Sequence, residues 1–451
     1  MSKRKSLRQL FVPITIELLC YMLAGIIDTL MISSVSDKAV GAVGTANTYL
    51  SVFVISFSII SSGVIAVMTQ FIGAGQKGVA YQARQVGLVF NAVIGIILSV
   101  FLLLFSGNVL RAIGIADDLE KYATTYMMIV GGGCFIMAII PIFGNYLRAF
   151  GHTKEPLYAT AIANIINLVL NALFLFVFDM GVAGVAIATL ISRIVNAAIV
   201  VIIAYVKINH RKFKDRIESS KVLFMILKIG LPAALETACY NVAISMVIHF
   251  LNGMDSEGIN VTARAYTTQV ASFSYCIGAG LAQANSIMTG WFVGSGEYDK
   301  CDKQTRKAAN IGIIIAIIVD TIFALTAGFF MPFLSDNQEI INLVKTLLFV
   351  DILLEVGRVT NLVYGGALKT SGDVYFPLYC AIIVMFTFAV GGSYLLGVRM
   401  DMLVIGAYIA MALDEFVRGI CVMIRWRTGI WREKSLVKAG KSNIKMKGEM
   451  A

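Results

Sequence analysis

A carboxylate at the depth of a bilayer is costly, and this chain carries several. The stretch Pro13-Ile14-Thr15-Ile16-Glu17-Leu18-Leu19-Cys20-Tyr21 runs on to Asp28 inside an apolar segment from about Leu10 to Ser33. That segment is long enough to cross the hydrocarbon core. An ionised side chain there costs roughly 3 kcal/mol or more, so it marks a functional site by default. A carboxylate in a low-dielectric cavity can take up a proton or hold a cation, and either neutralises it. The same pattern returns as Pro232-Ala233-Ala234-Leu235-Glu236-Thr237-Ala238-Cys239-Tyr240, with Pro, Glu, Cys and Tyr all displaced by 219 residues (Pro13 to Pro232). Glu17 and Glu236 each follow a proline by four residues. Proline removes an intrahelical hydrogen bond and frees a carbonyl, so both glutamates are expected to line a cytoplasm-facing vestibule.

Other charges fall in apolar runs. Asp351, Glu355 and Arg358 are spaced four and three apart, which puts them on one helix face and lets Glu355 pair with Arg358. Asp414, Glu415 and Arg418 permit a similar pairing. Asp320 has no local partner, Arg264 is expected to snorkel from an outer helix end, and Arg193 needs an acid from elsewhere. His249 reads as an interfacial side chain near an outer end, and His152 and His210 as loop residues.

The elements that position these groups follow from composition. Of 451 residues, 58% are hydrophobic and 14% charged, against roughly 25% charged in a soluble domain. The net charge of +10 sits at Lys3-Arg4-Lys5, Lys207 to Lys221 and Arg425 to Lys447, with no aromatic interleaving of the kind that binds nucleic acid. Six of the seven cysteines lie in apolar segments and Cys301 in a charged loop, so neither a disulfide framework nor a zinc site is expected. There is no Gly-x4-Gly-Lys-Ser/Thr loop to bind ATP. The first apolar run lacks a cleavage site and reads as a retained helix rather than a signal peptide.

Twelve apolar runs of helical length follow in order, from about Leu10–Ser33 to Met402–Trp426. With both termini on one side, that side gathers roughly 27 Lys and Arg against about four opposite, which places both termini and the central loop in the cytoplasm. The outer loops lean acidic, as at Asp117-Asp118, Asp255 and Glu257. The repeat extends beyond its first motif. Leu147-Arg148, Gly151 and Pro156-Leu157-Tyr158 match Leu368-Lys369, Gly372 and Pro377-Leu378-Tyr379, and Ile72-Gly73-Ala74-Gly75 matches Val293-Gly294-Ser295-Gly296, all at an offset of 221 (Arg148 to Lys369). The expected fold is therefore an all-α integral membrane protein of twelve transmembrane helices. Its two six-helix bundles should be related by a pseudo-two-fold axis along the membrane normal. Residues 1–206 form the N-terminal bundle, 207–222 a basic cytoplasmic linker, 223–426 the C-terminal bundle and 427–451 a basic cytoplasmic tail. Gly131-Gly132-Gly133 and Gly181-x-x-Gly184 serve close helix packing, and the Gly73 and Gly294 motifs end helices.

The chain resembles the multidrug and toxic compound extrusion (MATE) family of antiporters across all twelve spans. The likeness rests on Pro13 with Asp28-Thr29-Leu30-Met31, and on Gln70 with Gly73-Ala74-Gly75. It rests equally on Leu147-Arg148-Ala149-Phe150-Gly151 and on Gly181 to Thr189. The resemblance implies export of cationic amphipathic compounds driven by inward Na⁺ or H⁺, with Asp28 as the coupling residue and, in a sodium-coupled protein, the metal ligand. The family's fifth helix offers an asparagine followed one turn later by an aspartate; here those positions read Asn167 and Asn171, which would add amide oxygens beside Asp28. Some relatives place a glutamate where this chain has Tyr240, and an acid where it has Arg358, with Glu355 one turn earlier. Glu17, Glu236, Tyr240, Glu355 and Arg358 are thus the expected substrate-cavity residues.

The function expected is secondary antiport by alternating access in the cell inner (plasma) membrane, by a monomer. Lipid and small cationic organic compounds are its partners, and it needs neither ATP, nucleic acid nor a cofactor beyond the transported ion. The alternative is a lipid-linked oligosaccharide or other lipid flippase of the same architecture, which Arg193 and Arg358 keep open. An enzyme would need a His, Asp or Ser cluster at one membrane face, and none is present.

Overall fold

Lipid offers backbone groups no hydrogen bonds, so a spanning chain must satisfy them within helices. The computed structural model describes residues 5–112, 114–209, 213, 215–254 and 258–437. Among these the chain forms thirteen α-helices and no strand. In the first half they are α1 (Leu7–Ser33), α2 (Asp37–Gly73), α3 (Lys77–Ala112), α4 (Asp117–Gly132), α5 (Cys134–Ala149), α6 (Lys154–Ala172) and α7 (Gly181–Lys207). The second half holds α8 (Ser219–Asn252), α9 (Ile259–Ser295), α10 (Tyr298–Phe330), α11 (Gln338–Ser371), α12 (Tyr375–Val384) and α13 (Leu403–Arg427). The pair α4 and α5 is one span bent by 48°, at the packing glycines Gly131 to Gly133. That makes twelve spans, and the protein is a multi-pass membrane protein. The expected outer-loop acids Asp255 and Glu257, His210, and the basic residues of 1–4 and 438–451 lie outside the described residues.

Seven helices are long and apolar enough to cross a bilayer by composition, eight with the bent pair. Of the other four, α2 counts only through its shorter apolar stretch Ile59–Gly73, and α9, α11 and α13 carry polar side chains turned inward. Thr267 and Ser274 on α9, Asp351 and Glu355 on α11, and Asp414 and Arg418 on α13 are all buried.

The repeat is visible in the backbone. Both halves end a span in π-helical turns, Leu173–Val177 after α6 and Met385–Arg399 after α12. The Gly73 and Gly294 motifs do end helices, each followed by a glycine in the left-handed region, Gly75 (φ 83°) and Gly296 (φ 79°).

The chain divides into two compact units, one ending at Leu231 and the other beginning at Pro232. The division lies inside α8 rather than at the basic loop 207–222. A side chain on Gly230 would put its Cβ 1.7 Å from the Ile59 carbonyl oxygen, and one on Gly63 would stand 2.1 Å from that of Ile226. The opening of α8 thus touches α2 backbone to backbone and belongs to the first unit. In the second unit α11 packs on α9, α10 and α13. Gly357 of α11 and Gly419 of α13 bring their backbones together: a Cβ on Gly357 would lie 2.5 Å from the Phe416 nitrogen. Cys301, expected in a charged loop, is instead fully buried in the first turn of α10; that helix begins earlier than its apolar run because Cys301 and Thr305 give it an inward face.

Candidate functional site

The first unit gathers its polar groups on the seam between α1 and α6. Asn171 is fully buried; its Nδ2 donates to Asp28 Oδ1 at 2.8 Å and to Asn167 Oδ1 at 3.2 Å. The four-residue spacing of Asn167 and Asn171 stacks them on one face of α6, opposite Asp28 of α1. The side-chain oxygen of Asn171 is buried without a partner. Asp28 itself is partly exposed and, among the described residues, makes no direct ion pair. Arg193 of α7 acts on it only through space, since its Nη1 is directed at Met137 Sδ, 3.1 Å away. The Asn171 Nδ2 thus sits between two acceptors, the Asp28 carboxylate and the Asn167 amide oxygen, and leaves its own oxygen as a buried acceptor to spare. That is a donor set suited to a hard monovalent cation, or to one proton on Asp28.

Further along the seam, Asn164 donates to the Cys20 carbonyl at 3.0 Å, and Thr160 to the Tyr21 hydroxyl at 3.1 Å. These residues were missed in the sequence. The asparagines at 164, 167 and 171 of one apolar helix were the signal available.

The repeated glutamates are both paired. Glu17 accepts from Arg148 Nη2 of α5 at 2.6 Å, and Glu236 from Lys369 Nζ of α11 at 3.1 Å. The two bases are themselves repeat partners, so each half holds the same acid and base. Burial differs: Glu17 is 3% exposed, whereas Glu236 reaches a cavity wall. Of the two residues expected to line a vestibule, Glu236 lines a cavity and Glu17 is enclosed with its arginine.

That cavity lies wholly within the second unit and has a volume of about 380 Å³. Tyr240, Tyr275 and Tyr408 give it aromatic walls, and Glu236, Tyr240 and Arg358 line it as expected. Glu355 is fully buried behind the wall, paired with Arg358. The close approach of α11 and α13 merges two sets of charges that the sequence left separate. Arg358 Nε also donates to Glu415 Oε1 at 3.4 Å, while Arg418 reaches Asp414 at 2.5 Å and Glu415 at 3.0 Å. Asp351 accepts from the Tyr408 hydroxyl at 3.3 Å, and Asp320 from Ser274 at 3.0 Å. Arg264 does not snorkel to an interface. It lines the cavity, its Nε buried without a hydrogen-bond partner.

Twelve spans in two related bundles, each enclosing ionisable groups that lipid would exclude, define an integral membrane transporter. The MatE family model matches the chain twice, over residues 13–173 and 232–395, starting at Pro13 and again at Pro232. An uncharacterized transporter, YisQ, of Bacillus subtilis is 31% identical over 96% of both chains. A probable multidrug resistance protein, NorM, of Thermotoga maritima is 23% identical over 96% of this chain and 94% of its own. Among solved structures, a MATE protein in the straight conformation superposes with a TM-score of 0.86 at 21% identity, covering 95% of this chain and 96% of its own. The chain belongs to the MATE family of transporters.

Proposed function

We propose that the protein is a secondary active antiporter that exports cationic amphipathic compounds in exchange for Na⁺ or H⁺. It would work by alternating access as a monomer in the cell inner membrane, with both termini cytoplasmic. The observation that carries this reading is Asp28, held by Asn171 at 2.8 Å with no counter-ion bound to it directly. Such a carboxylate is neutralised by one positive guest at a time, be it the coupling ion or the cationic head of the cargo. Binding of either excludes the other, and that exclusion couples the two flows. Asn171 holds the carboxylate in place through its Nδ2, and its buried, unpartnered oxygen would join an ion's ligands when the amide turns over. Relatives named as multidrug resistance proteins support the cargo class.

The test uses purified protein in liposomes. Efflux of a fluorescent organic cation is followed while a proton gradient and a sodium gradient are imposed separately. One gradient should drive wild-type efflux, and Asp28→Asn should lower that rate by more than about tenfold, in keeping with the loss of a charged ligand. Efflux driven by neither gradient, or normal coupling in the variant, would remove the proposal.

A second reading, a lipid flippase, draws on the basic side chains of the second-unit cavity. It would appear as gradient-independent movement of a fluorescent phospholipid in the same liposomes.

A further inference from the structure

Four basic side chains line the second-unit cavity, and three of them are engaged: Lys369 by Glu236, Arg358 by Glu355 and Glu415, and Arg418 by Asp414 and Glu415. The remaining buried acids are also taken, Asp351 by Tyr408 and Asp320 by Ser274. Arg264 alone of the four has no acid partner among the described residues. Its titratable neighbours are the phenols of Tyr240 and Tyr408. Arg264 is partly exposed to the cavity, yet its Nε is buried without a partner, and an enclosed guanidinium with no counter-charge is costly. It stands at the head of a stripe on α9, with Thr268, Ser272 and Tyr275 following at helical spacing along the same cavity wall. The walls beside it are aromatic.

We infer that the second-unit cavity is a binding site for an amphipathic small molecule bearing a carboxylate, with Arg264 as the group that recognises the anion. The guanidinium fork matches a carboxylate in two parallel hydrogen bonds. Tyr240, Tyr275 and Tyr408 pack the apolar body, and about 380 Å³ accommodates a small organic molecule. The inference rests on the exporter reading for its consequence, that cargo extends from cations to carboxylate-bearing amphipaths, zwitterions included. The binding site itself does not depend on that reading.

The full chain is purified in phosphatidylcholine nanodiscs, and binding of 4-phenylbutyrate is compared with that of 4-phenylbutanamide, which has the same shape and no charge. Wild type should bind the acid about tenfold more tightly than the amide, as a charge-assisted pair requires. Arg264→Gln should abolish that preference, and Arg264→Lys should retain part of it, with melting temperature and gel filtration reporting that each variant is folded. Equal binding of acid and amide by wild type, or an undiminished preference in Arg264→Gln, would overturn the assignment. Phosphatidylglycerol in the nanodiscs should leave 4-phenylbutyrate binding unchanged; competitive displacement would make the site one for a lipid headgroup and overturn the small-molecule ligand. Wild-type protein separates the two readings. An acid preference in a protein whose efflux neither gradient drives sinks the antiporter and leaves this site standing, whereas gradient-driven efflux that Asp28→Asn abolishes, in a protein with no acid preference, does the opposite.

Discussion

The two halves of the chain keep the same scaffold and differ in which charge they leave without an ion partner at their polar centres. Each begins with a proline-bearing helix whose glutamate is tied to a basic residue on a later helix, Glu17 to Arg148 and Glu236 to Lys369. Each ends a span in π-helical turns. Yet the first half presents an acid among amides, Asp28 with Asn167 and Asn171, while the second presents an arginine with no acid partner among the described residues, beside a dense ion-pair network. Duplication preserved the residues that shape a bundle and released the polar ones at its centre. An internal repeat is therefore good evidence for architecture and poor evidence that both copies do the same chemistry.

The sharpest way to break this comparison is to cut the same clamp in both halves. Arg148→Ala strands Glu17, which is 3% exposed, and should cost about 3–5 kcal/mol, the usual penalty for an orphaned buried charge. The double variant Glu17→Gln with Arg148→Gln should recover most of it. Lys369→Ala leaves Glu236 on a cavity wall where water can reach it and should cost about 1 kcal/mol. Thermal unfolding in detergent measures both, and equal losses would show that the clamps are equivalent after all. Next in size, Asn171→Ala removes a hydrogen bond to a carboxylate, worth about 1.5–3 kcal/mol. Sodium affinity should fall by about tenfold or more, read by equilibrium dialysis in detergent, while the acid preference of the second half stays put. Gly357→Leu would force α11 off α13 and should cost about 1–3 kcal/mol, loosening the ion-pair network without touching Asp28. The smallest effect belongs to Asp118→Asn. Its pairing with Lys38 at 2.9 Å is between side chains 52% and 63% exposed, and neither melting temperature nor efflux should change.

Much of this could be read from the residues alone. Apolar runs gave the twelve spans because lipid permits little else, and the offset of Pro13 and Pro232 exposed the duplication. Asp28 stood out by its cost, and the family likeness directed attention to Asn167 and Asn171. Partnerships across helices were harder to foresee. Arg148 lies 131 residues from Glu17 and Lys369 lies 133 from Glu236, although both bases sat in repeated motifs and their pairing with the repeated acids was there to be found. The place of Arg264 could not be read at all. Position near a helix end suggests an escape to the interface, and only the cavity that α8, α11 and α13 line together with α9 decides otherwise. The unit boundary inside α8 was hidden for the same reason, since a run of basic residues marks a loop and says nothing of which helix the next turns lean on.

That boundary has a consequence for how the protein is made. Gly63 and Gly230 leave room only for bare backbone, so the first bundle is not finished when α7 emerges from the ribosome. It must wait for residues up to Leu231 to be threaded in before it can close. A fragment that stops in the basic loop lacks the α8 turns that pack on α2. Fragments meant to assemble in the cell should therefore not be severed there.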